Sequence, residues 1–195
     1  MKTIYVDNAA TTRLSDVAYE AMKPMMQEIY GNPSSLHHIG QIAKEHLDDA
    51  RARVAKCINA NPNEIYFTSG GSEADNQAIL TAAYNGAKRG KKHIISSKFE
   101  HHAVLHTLDK LKKEGFEIQL LDVYNNGIVK VDDVKNAIRE DTALVTIMTA
   151  NNEVGTVQPI KEIGEICKEK NVVFHTDAVQ AVGHIPVDVK DLGVD

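Results

Sequence analysis

The chain has 195 residues, of which 22 are Lys or Arg and 27 are Asp or Glu, so its net charge is −5 with histidine neutral. Hydrophobic residues make up 43% and charged residues 25%, a globular composition that excludes a disordered or collagen-like chain. The mild acidity gives no electrostatic footprint for nucleic acid or anionic membrane, and no apolar run approaches the roughly 18 residues of a membrane helix.

Two features bear on the cellular compartment. Asp7 and Asn8 come before any apolar stretch has formed, so we expect no secretory signal. The two cysteines, Cys57 and Cys167, form neither a CxxC pair nor a zinc-ligand spacing, which suits a reducing compartment. We therefore expect a cytoplasmic protein in which both cysteines are small buried hydrophobes on helix faces.

Helix and strand patterns follow one another along the chain. Before residue 60 the pattern predicts two helices, at about 15–29 and 36–57. Beyond it, strands are predicted over 65–68, 93–96, 117–122, 143–149 and 172–176, and helices over 73–89, 101–114, 132–139 and 159–170. This alternation predicts an α/β fold with a mostly parallel central sheet and helices on both faces. Residues 184–195 resemble the approach to a further strand, so the pattern predicts an incomplete domain.

The first candidate site is the segment TSGGSE, residues 68–73, between a predicted strand and a predicted helix. Its two glycines let the backbone bend closely, and a helix N-terminus offers unpaired N–H groups that bind phosphate. The segment is neither a GxGxxG nor a Walker sequence, so it implies no nucleotide. The alternative is that Ser72 only caps the helix, with Asp75 completing a capping box.

The second candidate is Asp177, at the C-terminal end of a predicted buried strand, where open α/β sheets bind ligands. A carboxylate there is costly unless it meets a cation or hydrogen-bond donors, and a protonated pyridine nitrogen is one such cation. The alternative is that Asp177 caps the next turn. Gln180, three residues on, either reaches the same pocket or points to solvent.

The third candidate is the run Glu100-His101-His102, at a predicted helix start. The helix dipole there favours a neutral imidazole, which can act as a base or stack on an aromatic ring. His102 and His106 are four residues apart, but two histidines lack the further ligands of a zinc site, and both suit a solvated helix face.

The last two candidates are loops. Asn151 and Asn152 follow the most apolar predicted strand, where an asparagine either bonds a ligand or closes a turn. Residues 31–37, GNPSSLH, indicate by themselves only a loop and a helix start.

The order and spacing of these segments closely resemble the cysteine desulfurase family, a group of class-V aminotransferases that use pyridoxal 5′-phosphate (PLP) and have the type I fold. The segments that carry the resemblance are YVDNAATT, GNPSSLH, TSGGSEADN, EHHAVL, NNEVGTVQPI and HTDAVQAVGHIPVD. The resemblance covers the whole chain from Tyr5 to Asp195, and it is most like the subgroup that serves nitrogenase and iron–sulfur assembly.

The resemblance implies a site for PLP. It assigns Gly71 and Ser72 to the phosphate, His101 to stacking on the ring and moving protons as a catalytic group, Asn152 and Gln180 to the ring and its 3′-oxygen, and Asp177 to the pyridine nitrogen. The aspartate keeps the ring protonated, so that the cofactor can accept electrons from the substrate α-carbon.

The resemblance also implies an activity. L-cysteine would be converted to L-alanine, with a persulfide left on a catalytic cysteine for an iron–sulfur scaffold or another acceptor. The family implies a homodimer, with neither nucleic acid nor membrane as a partner.

No lysine of this chain matches the family's Schiff-base lysine, and neither Cys57 nor Cys167 matches the catalytic cysteine. We therefore expect residues 1–195 to be an incomplete PLP-binding large domain, with 1–15 as an N-terminal segment, the end of the large domain and the small domain absent, and no turnover. The alternatives are a selenocysteine lyase or other class-V enzyme, and a non-catalytic dimerisation or regulatory fragment.

Overall fold

A computed structural model describes residues 3–195, which form two compact units that divide between Ile65 and Tyr66. The first unit contains helices α1 (Asp16–Gln27) and α2 (His38–Cys57), followed by a 3₁₀ turn (Pro62–Glu64). Each helix begins where a side chain accepts a backbone N–H: Ser15 Oγ from Ala18 at 3.2 Å, and His37 Nδ1 from Gly40 at 3.3 Å. Both predicted helices are confirmed, with ends that differ by one or two residues.

The second unit is an α/β sandwich. In chain order it contains α3 (Gly71–Ala87), β1 (His93–Ser97), α4 (His102–Lys113), β2 (Glu117–Leu121), α5 (Val131–Ala137), β3 (Thr142–Thr146), α6 (Ile160–Glu169), β4 (Val173–His175) and α7 (Val189–Leu192). The strands form one sheet in the order β2-β1-β3-β4, and every neighbouring pair is parallel. The predicted parallel central sheet is therefore confirmed.

Helices cover both faces of this sheet. Because successive strand residues point to opposite faces, Ile94 and Ile95 of β1 enter two different cores. Ile94 lies among buried residues of α3 and α4, such as Ile79 and Leu108, and Ile95 among those of α5 and α6, such as Ile163. Fully buried strands explain why the sequence of β3 is apolar without alternation.

One predicted strand is wrong. Residues 65–68 are not a strand, because Tyr66 and Phe67 are exposed and the backbone joins none of the described strand pairs. Residues 184–195, which resemble the approach to a further strand in the sequence, contain the short helix α7. The carboxylate of Asp188 caps it by accepting the N–H groups of Lys190 and Asp191, both at 3.0 Å, a signal the sequence analysis missed.

One of the two cysteines also departs from expectation. Cys167 is buried on α6 as predicted, whereas Cys57 is exposed at the end of α2. The buried residues of α2 are Gly40, Ala43 and Ala55, so its buried face is made of small residues. Within residues 3–195, no helix combines the length and the hydropathy needed to cross a bilayer.

Candidate functional site

The candidate residues of the second unit gather at one edge of the sheet. All four strands are parallel, so their carboxyl ends meet at the same edge. His101 follows β1, Asn152 follows β3, and Asp177 and Gln180 follow β4. Three strands thus contribute polar side chains to one place.

The N-terminus of α3 has the features of an anion site. Its N-cap is Gly70, which has no side chain that could accept a hydrogen bond from the helix. The first intrahelical bond runs from Ala74 N–H to Gly70 C=O at 3.1 Å. The N–H groups of Gly71 and Ser72 lie before that bond, at the positive end of the helix dipole. The predicted capping role of Ser72 is wrong, because Ser72 lies inside the helix and is exposed.

The loop before α3 is held by a side chain from the first turn of the helix. The carboxylate of Glu73 accepts the N–H of Ser69 at 2.7 Å and its hydroxyl at 2.6 Å, and these bonds lower the pKa of Glu73. Asp75, the other member of the predicted capping box, is instead buried within the second unit. The capping box is therefore absent, and the turn is fixed without using the N–H groups of Gly71 and Ser72.

Gly71 lies close against the segment that follows β4. A Cβ at Gly71 would lie 2.8 Å from Cγ2 of Val179, closer than a carbon–carbon contact allows. Val179 is two residues beyond Asp177. The start of α3 and the Asp177 turn therefore meet without room for a side chain at position 71.

Asp177 is a buried carboxylate, with 7% of its surface exposed. Its Oδ1 accepts the N–H of Val179 at 2.9 Å, so the predicted turn-capping alternative is correct for this oxygen. Burial raises the pKa of Asp177, and so does the negative charge of Asp75, while the Val179 N–H, His175 and His101 lower it. A cation beside this carboxylate would offset the cost of its burial.

His101 is the N-cap of α4 and is exposed at the same edge. Its Nδ1 accepts the N–H of Ala103 at 3.1 Å, so the neutral ring carries its proton on Nε2. The rings of His102 and His106 lie 5.4 Å apart on the exposed side of α4. Within the described chain, no group of three or more His, Cys, Asp or Glu side chains is placed to hold a metal ion.

The two asparagines after β3, Asn151 and Asn152, have different surroundings. Asn151 closes the turn, because its Oδ1 accepts the N–H groups of Glu153 and Val154 at 2.9 and 3.0 Å. Its Nδ2 donates to the carbonyl of Phe99 at 3.2 Å, which ties the loop after β3 to the loop after β1. Asn152 is half-buried beside it. The turn interpretation is thus correct for Asn151.

Two further polar groups lie beneath the edge: Glu100, which the sequence offered only as part of the run before α4, and His175, which sequence reasoning missed. Glu100 accepts the hydroxyl of Ser97 at 2.5 Å and the N–H of Met148 at 3.0 Å. His175 lies between Thr146 and Asp75. The signal for His175 was available: it stands two residues before Asp177, and the extended backbone of β4 continues to Asp177, so both side chains point to the same face.

Comparison with known proteins shows the family to which this chain belongs. Residues 4–195 match the family described as aminotransferase class-V. The chain belongs to the class-V aminotransferase family. The family prediction from the sequence is therefore confirmed at this level, and members of this family use PLP.

The matched relatives are desulfurases by name. Cysteine desulfurase IscS of Clostridium botulinum is 55% identical over 194 residues, covering 100% of this chain and 49% of that protein. Cysteine desulfurase IscS of Methanosarcina thermophila is 54% identical, covering 100% of this chain and 48% of that protein. The chain thus spans about half the length of the curated relatives it matches.

Solved structures share the fold. A NifS-like protein superimposes with a TM-score of 0.93 at 43% identity, covering 97% of this chain and 52% of its own. SspA in complex with cysteine superimposes with a TM-score of 0.95 at 39% identity, covering 99% of this chain and 55% of its own. The predicted type I fold is confirmed by these neighbours.

Proposed function

We propose that the protein is a cysteine desulfurase whose PLP site lies at the sheet edge described above, with L-cysteine as the substrate. The observation that carries the proposal is the buried carboxylate of Asp177 brought against the N-terminus of α3 through the contact of Gly71 with Val179. An anion site and a buried carboxylate in one place fit a ligand with a phosphate at one end and a protonated ring nitrogen at the other. The names of the relatives supply the substrate.

The residues of the edge fit PLP in their donor chemistry. The N–H groups of Gly71 and Ser72, with the Ser72 hydroxyl, would hold the phosphate, and Asp177 would hold the ring nitrogen. Asn152 and Gln180 are half-buried at the same edge and would bond the ring and its 3′-oxygen. When bound, PLP withdraws electrons from the α-carbon of an amino-acid substrate.

His101 has the properties of a proton-transferring group. It is exposed at the start of α4. Because Ala103 N–H occupies Nδ1, Nε2 is the atom at which His101 would hold or release a proton. We propose that His101 stacks on the ring of PLP and moves protons there.

Sulfur transfer requires groups that we do not assign within this chain. Cys167 is buried and burial raises the pKa of its thiol to about 12, so it forms little of the nucleophilic thiolate. We propose that residues 1–195 alone do not turn over cysteine. A homodimer, a cytoplasmic location and an iron–sulfur scaffold or other sulfur acceptor are part of the proposal and come from the resemblance and the cysteine usage.

The test uses the protein expressed from its complete coding sequence. We expect PLP-dependent release of alanine from L-cysteine, and a loss of about a hundredfold or more in Asp177→Asn, because the neutral amide cannot stabilise a protonated ring nitrogen. Asp191→Asn, at an exposed carboxylate of α7, is the matched control and should keep the parent rate.

Two results would count against the proposal. Equal alanine release by the Asp177→Asn and Asp191→Asn variants would remove Asp177 from the site. Release of alanine from selenocysteine but not from cysteine would replace the desulfurase with a selenocysteine lyase.

A further inference from the structure

A polar row crosses the sheet directly beneath Asp177. His175 ends β4 and Asp177 lies two residues beyond it, where the backbone still pairs with the segment after β3, so the two side chains point to the same face. It is the face covered by α3 and α4, because Val173, two residues earlier, packs against that core. Thr146 of β3 is the register partner of His175.

Each ring nitrogen of His175 has a partner. Nδ1 lies 2.8 Å from the hydroxyl oxygen of Thr146, and Nε2 lies 3.6 Å from Oδ1 of Asp75 on α3. Only 5% of the surface of Asp75 is exposed. A buried carboxylate is costly without a compensating donor or charge, and the imidazole of His175 is the polar group that lies opposite Asp75.

We propose that Asp75 and His175 form a positioning pair that sets the charge of Asp177. Thr146 O–H donates to Nδ1 of His175, which leaves the ring proton on Nε2, facing Asp75. The pair thus places a carboxylate and an imidazole N–H under the carboxylate that meets the cofactor's ring. This inference rests on the proposed function only in assigning the ring nitrogen to Asp177.

The charges that face Asp177 come from three elements. Asp75 faces it from α3, His175 from β4, and Glu100 and His101 from the start of α4. Asp75 raises the pKa of Asp177 and His175 lowers it. The two members of the pair therefore act on Asp177 with opposite sign, which a purely structural role in packing would not produce.

The experiment is a carbon-13 NMR titration of the Asp177 carboxyl in the PLP-free protein expressed from its complete coding sequence. Asp75→Asn should lower the pKa of Asp177, because it removes a negative neighbour. His175→Gln should raise it, because it removes the imidazole that lowers the pKa of Asp177. Asp191→Asn changes the net charge by the same amount as Asp75→Asn but lies away from the site. It should leave the pKa of Asp177 unchanged.

A shift of the same sign in the two variants, or none in either, would overturn the proposal. If a variant fails to fold, nitrogen-15 NMR of His175 in the unmodified protein decides. The proposal expects a proton on Nε2, and a neutral ring protonated on Nδ1 alone would contradict it. Neither measurement uses PLP or turnover, so a failure of the pair is distinct from a failure of the desulfurase assignment.

Discussion

Glu100→Gln tests the energetics of the site most sharply. Glu100 is 6% exposed and lies between the ends of β1 and β3, where Ser97 Oγ and Met148 N–H donate to it. Burial, together with the smaller effect of the Asp177 and Asp75 charges, raises the pKa of Glu100 from 4.5 to about 8, although the hydrogen bonds from Ser97 and Met148 lower it. The folded protein therefore holds a proton on Glu100 that the unfolded chain releases.

The sign and the magnitude follow from linkage. Between pH 4.5 and about pH 8 the folded state binds more protons at Glu100 than the unfolded state, so this group makes stability fall as the pH rises. At about 1.4 kcal/mol for each pKa unit, the whole difference is at most about 5 kcal/mol, reached above about pH 8. Glutamine has the shape of the neutral acid and cannot ionise, so the variant escapes this loss.

The assay is urea denaturation of parent and variant at several pH values from about 4 to about 9. We expect the free energy of unfolding of Glu100→Gln, relative to the parent, to increase across this range by several kcal/mol. Glu140→Gln, at an exposed glutamate, is the control and should show no such trend. A constant difference between Glu100→Gln and the parent at all pH values would refute the reasoning.

Three further predictions concern individual side chains. Alkylation of the native polypeptide should modify Cys57, which is exposed, whereas Cys167 should react only after denaturation, as peptide mass spectrometry would show. Gly71→Ala should weaken PLP binding about fivefold, or about 1 kcal/mol, because its new methyl group overlaps a valine side chain, and absorbance titration measures this. Gln158→Ala should lower the free energy of unfolding by about 2 kcal/mol, because it leaves the buried N–H of Val129 and the half-buried carbonyl of Gly127 without their partner.

Each of these three predictions has a control variant or a result that would contradict it. Reaction of Cys167 at the rate of Cys57 in the native state would contradict its burial. Gly70→Ala, at a glycine with open space around its Cβ position, should bind PLP like the parent. Gln77→Ala, at an exposed glutamine of α3, should leave the free energy of unfolding within about 0.5 kcal/mol of the parent, and an equal loss in both glutamine variants would refute the third prediction.

The strongly patterned elements were predictable from the sequence. The alternation of apolar strands with amphipathic helices indicated a parallel sheet covered on both faces, and a parallel sheet brings its carboxyl ends to one edge. That rule was enough to place His101, Asn152 and Asp177 together. Residues 65–68 were predicted wrongly because β-branched and aromatic residues favour a strand only where a neighbouring strand can pair with them.

What the sequence could not show is which polar groups are buried and how they pair. Asp75 fits a capping box in the sequence, but the cap of α3 is Gly70 and the side chain of Asp75 turns inward to His175. The partners of Glu100 lie three and 48 residues away in the chain. Such contacts depend on strand register and helix rotation, which local patterns do not determine.

The central claim is that the site is built around the pairing of Asp177 with a protonated ring nitrogen of PLP. The most direct measurement is the nitrogen-15 NMR shift of the pyridine nitrogen in labelled PLP bound to the protein expressed from its complete coding sequence. The account predicts a protonated nitrogen in the parent and an unprotonated one in Asp177→Asn. A nitrogen that is unprotonated in the parent, or equally protonated in both proteins, would contradict it.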